Sequence, residues 1–209
     1  MLRSAPAGFW DATGSLYAAI RDVSGRQVVV DSSKLPTYLA MLAQVSSIDV
    51  HIIHLVRDPR AVTHSWLRPR VADPDGRTTM PRFKAVKSAL LWIIMNVTAE
   101  WFAFRTGLPY VRVRYEDLVA DPNRIMGQLR SGILREAGLE LAEAGTLDEK
   151  DIKLDVFHSI SGNPMRFQQG RTPIVEDAAW KGDSRGRKAI VGALTFPLRW
   201  RYGYRGRAG

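Results

Sequence analysis

Short runs of Val and Ile alternate along this chain with longer stretches in which apolar residues recur every three or four positions, the signature of strands passing into helices. The clearest case is Val50-His51-Ile52-Ile53-His54-Leu55-Val56, which reads as a buried strand over 50–56. Asp58-Pro59 then supplies an N-cap acceptor and a residue pre-set for the first helical turn, so a helix is predicted from Pro59. Upstream, Leu16, Ala19, Ile20 and Val23 define one side of a helix over Phe9 to Asp22, stopped by Ser24-Gly25, and Val28-Val29-Val30 reads as another short buried strand. Ser33 is the expected N-cap of a helix from Lys34 to about Val45, with Pro36 tolerated in its first turn. Downstream, Ala85 to Arg105 is a long helix whose stripe of Leu90, Leu91, Ile94, Val97 and Trp101 is expected to face the core. Gly107-Leu108-Pro109 ends it, Tyr110 to Arg114 alternates as a strand, and Asp121-Pro122 caps a helix carrying Ile125, Met126, Leu129 and Ile133 to Gly138.

Three successive strand-then-helix units predict an α/β fold, a parallel sheet flanked by helices, in one domain spanning 1–209. After about Thr146 the pattern changes. Lys150 to Arg187 holds few long apolar runs and many Gly, Asn, Gln and Arg, so it reads as a long functional loop, with Trp180, Phe196, Trp200 and Tyr202 anchoring this arm to the core. Leu67 to Met80, rich in Arg, Pro, Asp and Gly, reads as an exposed loop.

Charge narrows the partners. The 30 Lys and Arg outnumber 21 Asp and Glu, a net +9 that favours anionic ligands without choosing among nucleotides, phosphates, acidic glycans, nucleic acid or a membrane surface. There is no Cys, so disulfides, thiolate metal sites and thiol nucleophiles are excluded, and the composition fits a reducing, cytoplasmic compartment. The N-terminus lacks an apolar signal core, and the most apolar window, Ala89 to Phe104, is interrupted by Asn96, Thr98 and Glu100, so it is expected to be a buried helix and not a membrane span. His51, His54 and His64 have no Asp, Glu or His spacing that suggests a metal site, and alternation along the strand turns at least one of His51 and His54 toward the core.

The candidate chemistry lies at the end of the 50–56 strand. Arg57 sits at its carboxyl edge, beside a helix N-terminus with free N–H groups, where parallel α/β sheets bind anions. Ser65 shares a helix face with positions 58 and 62, so a guanidinium and a hydroxyl could converge on one phosphate. The structural alternative is an Arg paired with a neighbouring carboxylate and a Ser bonded back to its own helix.

Arg57-Asp58-Pro59-Arg60-Ala61-Val62 with Ser65-Trp66 resembles the sulfotransferase segment that holds the 3′-phosphate of 3′-phosphoadenosine 5′-phosphosulfate. The resemblance extends to Asp31-Ser32-Ser33-Lys34, to Arg114-Tyr115-Glu116-Asp117-Leu118 with Asp121-Pro122, and to Ser161-Gly162-Asn163-Pro164-Met165-Arg166 with Tyr202-Gly203-Tyr204. It covers the chain from about residue 28 onward, with four motifs in the family's order. It implies a P-loop-nucleotide-kinase-like sulfotransferase fold and metal-free transfer of a sulfuryl group from the nucleotide donor to a hydroxyl or amine on a small-molecule or glycan acceptor. Arg57, Ser65 and Arg166 would then hold the 3′-phosphate, and Tyr115 would lie near the adenine or simply close the sheet edge. The 67–80 loop would lie over the acceptor, and the arm from about 147 would close over the donor.

Two departures limit what the resemblance carries. Cytosolic members have a catalytic His where aligning Leu35-Pro36 puts Lys34; a Lys near pKa 10.4 is a poor base unless perturbed, so Lys34 is expected to stabilise charge on the sulfuryl group, and simple capping is the alternative for the 31–33 stretch before it. The family's N-terminal 5′-phosphosulfate loop has no counterpart here, since Gly14-Ser15 falls within a predicted helix and Gly25 is isolated. The expectation is an N-terminally truncated fold that keeps a donor half-site, loses most transfer activity and exposes apolar edges prone to homo-oligomerisation. A nucleotide-kinase-like enzyme is the alternative, disfavoured by the absence of a Gly-Lys-Ser/Thr loop, and a non-catalytic anion-binding remnant is another. Nucleic acid is not an expected partner.

Overall fold

The computed structural model describes residues 8–69, 79, 81–135, 151–154 and 170–206, the strand at 151–154 by its backbone alone. It is a mixed α/β chain, mostly helical, with a two-stranded parallel sheet against helices. Two compact units account for it, one of residues 1–52 and 95–110, the other of 53–94 and 111–209.

In the first unit, α1 (Phe9–Ser24) ends as predicted at Gly25, whose φ of 62° closes the helix in the left-handed conformation that glycine adopts without strain. Its predicted apolar side is not the buried one: Leu16 and Ile20 are exposed and Val23 is 91% exposed, while Gly14 is buried. The cause is close approach, because a Cβ on Gly14 would stand 2.6 Å from Ser47 Oγ and 3.2 Å from Val45 Cγ1. The strand predicted at 28–30 does not form: these residues take no regular secondary structure, and Val30 is 83% exposed. No strand lies beside it among the described residues, so its backbone has no ladder to join.

Helix α2 (Pro36–Leu42) is shorter than the predicted 34–45 and is not capped by Ser33. Pro36 drives Leu35 into extended geometry, φ −94° and ψ 122°, so the helix starts only after it. Ser33 is held elsewhere, its N–H donating to Asp31 Oδ1 at 2.8 Å and its hydroxyl to the same oxygen.

In the second unit, β1 (Ile52–Val56) runs parallel to β2 (Tyr110–Arg114), so two of the three predicted strand-then-helix units form. β1 is covered on one side only: Ile52 and Val56 are buried, and Ile53 and Leu55 are about half exposed. His54 lies edge-on to Tyr202 with ring centroids 6.2 Å apart, and the His51 side chain is also largely buried, 15% exposed. α3 (Pro59–Leu67) opens as predicted, with the Asp58 carboxylate accepting from Arg60 N–H at 2.8 Å.

α4 (Ala85–Thr106) reverses its expected orientation: Leu90, Ile94, Val97 and Trp101 are exposed, and Ser88, Ala89, Trp92, Asn96 and Ala103 are buried. Apolar periodicity marks a helix but cannot say which side the sheet covers when several sides are apolar. Trp92 joins Val56, Tyr202 and Tyr204 in one core cluster, with Val62, Ile93 and Leu198 against it. A second cluster, Val113 with Ile125 and Leu129, seats α6 (Pro122–Leu129) on β2, and Asp121 caps that helix by accepting from Arg124 N–H at 3.0 Å. A π-helical turn, Arg130–Leu134, continues it; the predicted end at 138 and most of the 67–80 loop lie outside the described residues.

The stretch predicted as a continuous loop contains regular elements among its described residues. β3 (Asp151–Leu154) pairs antiparallel with β4 (Gly170–Pro173), a 3₁₀ turn spans Ala179–Gly182, and α7 (Arg185–Leu194) and α8 (Leu198–Arg201) follow. Of its expected aromatic anchors, Tyr202 is buried, whereas Phe196 and Trp200 are 56% and 49% exposed; Tyr204 fills the core in their place. No helix among the described residues is long and apolar enough to cross a membrane.

Candidate functional site at the strand ends

Parallel strands deliver successive carboxyl ends to one edge, and here that edge carries Arg57 after β1 and Tyr115 after β2, the first residue of α5 (Tyr115–Ala120). Their side chains meet: the Arg57 guanidinium lies over the Tyr115 ring, 4.6 Å from its centroid.

The backbone beneath them is tied in place by hydrogen bonds. Trp92 Nε1 donates to Arg57 O at 3.0 Å, and Asp58 N–H donates to Glu116 Oε1 at 3.1 Å, joining the ends of the two strands. Tyr204 Oη lies 3.0 Å from Val56 O and 2.7 Å from Glu116 Oε2, so its one proton serves two acceptors at the same edge. Burial and the Glu116 charge push the Tyr204 hydroxyl far above the usual tyrosine range, outweighing the Arg114 guanidinium, which stacks on its ring at 4.6 Å. Tyr204 is therefore a neutral donor at any ordinary pH.

The charge around Arg57 has two cations sharing one anion. Asp177, from the segment before the 3₁₀ turn, places Oδ2 2.6 Å from Arg68 Nη2 and 3.6 Å from Arg57 Nη2, and its carbonyl accepts from Arg57 Nη2 at 3.2 Å. Burial alone would raise the Asp177 carboxyl; the Arg68 hydrogen bond, the Ala179 N–H and the two guanidinium charges hold it below the usual range. Nε of Arg57 and Nε of Arg68 are both buried without an acceptor. Such donors cost about 1–3 kcal/mol each when left unmade, so this corner can take another anion.

Ser65 is half-buried on α3, and its hydroxyl forms no hydrogen bond with a described residue. The neighbouring His64 does: its Nδ1 lies 2.9 Å from Asp183 Oδ2, which also holds Arg187 Nη1 through Oδ1 at 2.8 Å. Arg60 is committed elsewhere, paired through Nε and Nη2 with Asp58 at 3.0 and 2.6 Å and stacked 4.8 Å over Trp180.

Lys34 belongs to the first unit, where it is exposed and adopts φ 69°, a left-handed conformation that a non-glycine residue rarely holds. The turn before it is pinned by Asp31, whose carboxylate accepts from Ser33 and from the Tyr17 hydroxyl; Tyr17 Oη lies 3.1 Å from Tyr38 Oη. Burial opposes these bonds, yet together they hold the Asp31 carboxyl below its usual range, which makes it an acceptor and a weak base. Arg166, with the whole 161–166 motif, lies outside the described residues.

The structure thus brings Arg57 and Tyr115 together and adds Arg68 and Asp177, which sequence reading missed. The +9 balance and the Arg-rich end of α3 were signals for Arg68; nothing local marks Asp177 as the partner of a residue 120 positions away. Among the described residues there is no cluster of three or more His, Asp or Glu placed to hold a metal. Comparison with protein-family models, with curated proteins and with solved structures finds no match for this chain.

Proposed function

We propose that this chain is a sulfotransferase-type protein that binds 3′-phosphoadenosine 5′-phosphosulfate and moves its sulfuryl group to a hydroxyl or amine acceptor. The observation that carries the reading is the contact at 4.6 Å between Arg57 and Tyr115 across the carboxyl edge of two parallel strands, a cationic hydrogen-bond donor stacked on an aromatic ring. The unmet Nε donors of Arg57 and Arg68 support it, because a phosphate offers the acceptors they lack.

In this reading the 3′-phosphate takes the place of Asp177 between Arg57 and Arg68, with the Ser65 hydroxyl as a neutral donor and Arg166 as the arm's contribution. Tyr115 faces the adenine. In the transfer itself, an acceptor oxygen or nitrogen forms a bond to sulfur as the bond from sulfur to the bridging phosphate oxygen breaks, releasing adenosine 3′,5′-bisphosphate. A general base takes the acceptor proton as the new bond to sulfur forms.

Displacement of a fluorescent adenosine 3′,5′-bisphosphate tests the donor half. The 3′-phosphate isomer should displace it and the 2′-phosphate isomer should not. Tyr115→Ala should weaken binding about threefold to fivefold, the worth of one exposed cation–π contact, while Tyr115→Phe should not change it. Equal displacement by the two isomers would reduce the site to a general anion site.

A further inference from the structure

Helix α4 is apolar on two sides. Ala89, Trp92, Asn96 and Ala103 are buried on one of them. The other carries Leu90, Ile94, Val97, Trp101 and Phe104 at steps of four, three, four and three residues, which at about 100° per residue keeps all five within an arc of about 80°. Leu90 and Val97 are nearly half exposed, Ile94 is 57%, Trp101 60% and Phe104 88% exposed. At about 150–250 Å² for an aromatic side chain and somewhat less for an aliphatic one, these exposures leave about 600 Å² of apolar surface in one strip along an unbroken helix. That is the upper end of what a monomer shows to water, and patches of this size mark interaction sites.

Alternating steps of three and four are the 3.5-residue repeat of a helix-pairing seam, here two heptads long. A free peptide of that length would pair poorly, because association would also have to order the helix. Helix α4 is already held by its buried side, so pairing has little backbone left to order.

We propose that this strip is the interface of a symmetric dimer, with α4 of one chain packed lengthwise on α4 of a second copy. A repeated seam is complementary to itself: each side chain enters the gap between side chains of an identical seam, which is what a two-fold axis requires. Covering the strip on both copies removes about 1,200 Å² from water, the size at which stable interfaces begin. Trp101 and Phe104, the largest and most exposed members, anchor it. A lipid surface fits less well, since a helix lying in a bilayer interface presents a charged face on its far side, and the far side of α4 is buried in its own chain. The dimer is independent of the sulfotransferase reading and stands or falls without it.

Sedimentation velocity of the full chain tests this from about 1 to 100 μM, a span that brackets a modest interface. Wild type should pass from monomer to dimer as concentration rises and go no further. Ile94→Glu and Trp101→Glu put a charge into the seam at exposed positions, and each should raise the dissociation constant at least about thirtyfold. Phe104→Ser, at the most exposed position, should weaken the dimer without adding a charge. Ile190→Glu, at an exposed apolar position of α7, should leave it unchanged. Unfolding followed by circular dichroism checks that each variant is folded. A wild type that stays monomeric throughout, with or without affinity for anionic vesicles, would overturn the proposal. So would growth beyond the dimer, a dimer that the three α4 substitutions leave intact, or one that Ile190→Glu weakens as much as they do.

Discussion

Asp177 occupies the ground that a phosphate at Arg57 would need, and replacing it by Asn converts that competition into a measurable affinity. Asn keeps the size of the side chain, and the main-chain oxygen that accepts from Arg57 at 3.2 Å is unaffected. What is lost is one negative charge, 3.6 Å from Arg57 and 2.6 Å from Arg68. At about 4 Å two unit charges interact by about 4 kcal/mol near a protein surface and about 1 kcal/mol in bulk water. The Asp177 side chain is 34% exposed, so solvent screening puts the Arg57 interaction near the lower figure. Removing a competitor worth about 1 kcal/mol should tighten adenosine 3′,5′-bisphosphate roughly fivefold at pH 7. The gain should shrink in high salt, which screens the same charges. Calorimetric titration of Asp177→Asn beside wild type reads this directly; unchanged or weaker affinity would refute the idea that Asp177 and phosphate compete. Stability should move the other way. Because the folded Asp177 carboxyl is held below its usual range, it stabilises the fold above about pH 4 and loses that contribution as pH falls. Asp177→Asn should therefore unfold more easily than wild type at pH 7, with the gap closing in acid.

Two further substitutions test the scaffold beneath the site. Asp58→Asn breaks a pair whose side chains are 5% and 7% exposed, leaving Arg60 charged without its partner, and should cost about 3–5 kcal/mol in denaturant unfolding; a loss below about 1 kcal/mol would show the pair to be dispensable. Tyr204→Phe removes the one proton shared by Val56 O and Glu116 Oε2 and should cost about 1–3 kcal/mol. Since the folded Tyr204 hydroxyl is raised, wild type should lose its advantage over Tyr204→Phe as pH climbs past about 10; an advantage that persists would contradict the assigned burial.

The parts of the fold legible in the sequence are those set by neighbours in the chain. Asp58-Pro59 and Asp121-Pro122 start helices because a carboxylate accepts N–H groups two or three residues on, and Gly25 and Gly107 end them with φ of 62° and 67°. Local reading failed where a partner was needed. Val28 to Val30 has strand composition but no neighbouring strand among the described residues, and α4 buries Ala89, Trp92 and Asn96 instead of its Leu and Ile stripe. At the site, the order of motifs marked Arg57 and Tyr115 at consecutive strand ends, and parallel pairing made them neighbours. Asp177 was invisible as a site residue, and Tyr204 was read only as part of the Tyr202-Gly203-Tyr204 motif, because their partners lie 120 and 88 positions away, joined only by the packing of the C-terminal segment. Lys34 was placed on a helix that Pro36 prevents from reaching it.

The central claim is that Arg57 holds a 3′-phosphate. The direct measurement is calorimetric titration of adenosine 3′,5′-bisphosphate into wild type and Arg57→Ala, with 3′-dephosphorylated nucleotide as control. Saturable binding by wild type that falls at least about tenfold on removing either the guanidinium or the 3′-phosphate is the predicted result. Equal binding with and without the 3′-phosphate, or full affinity in Arg57→Ala, would contradict the account and leave the strand-end corner a structural ion pair.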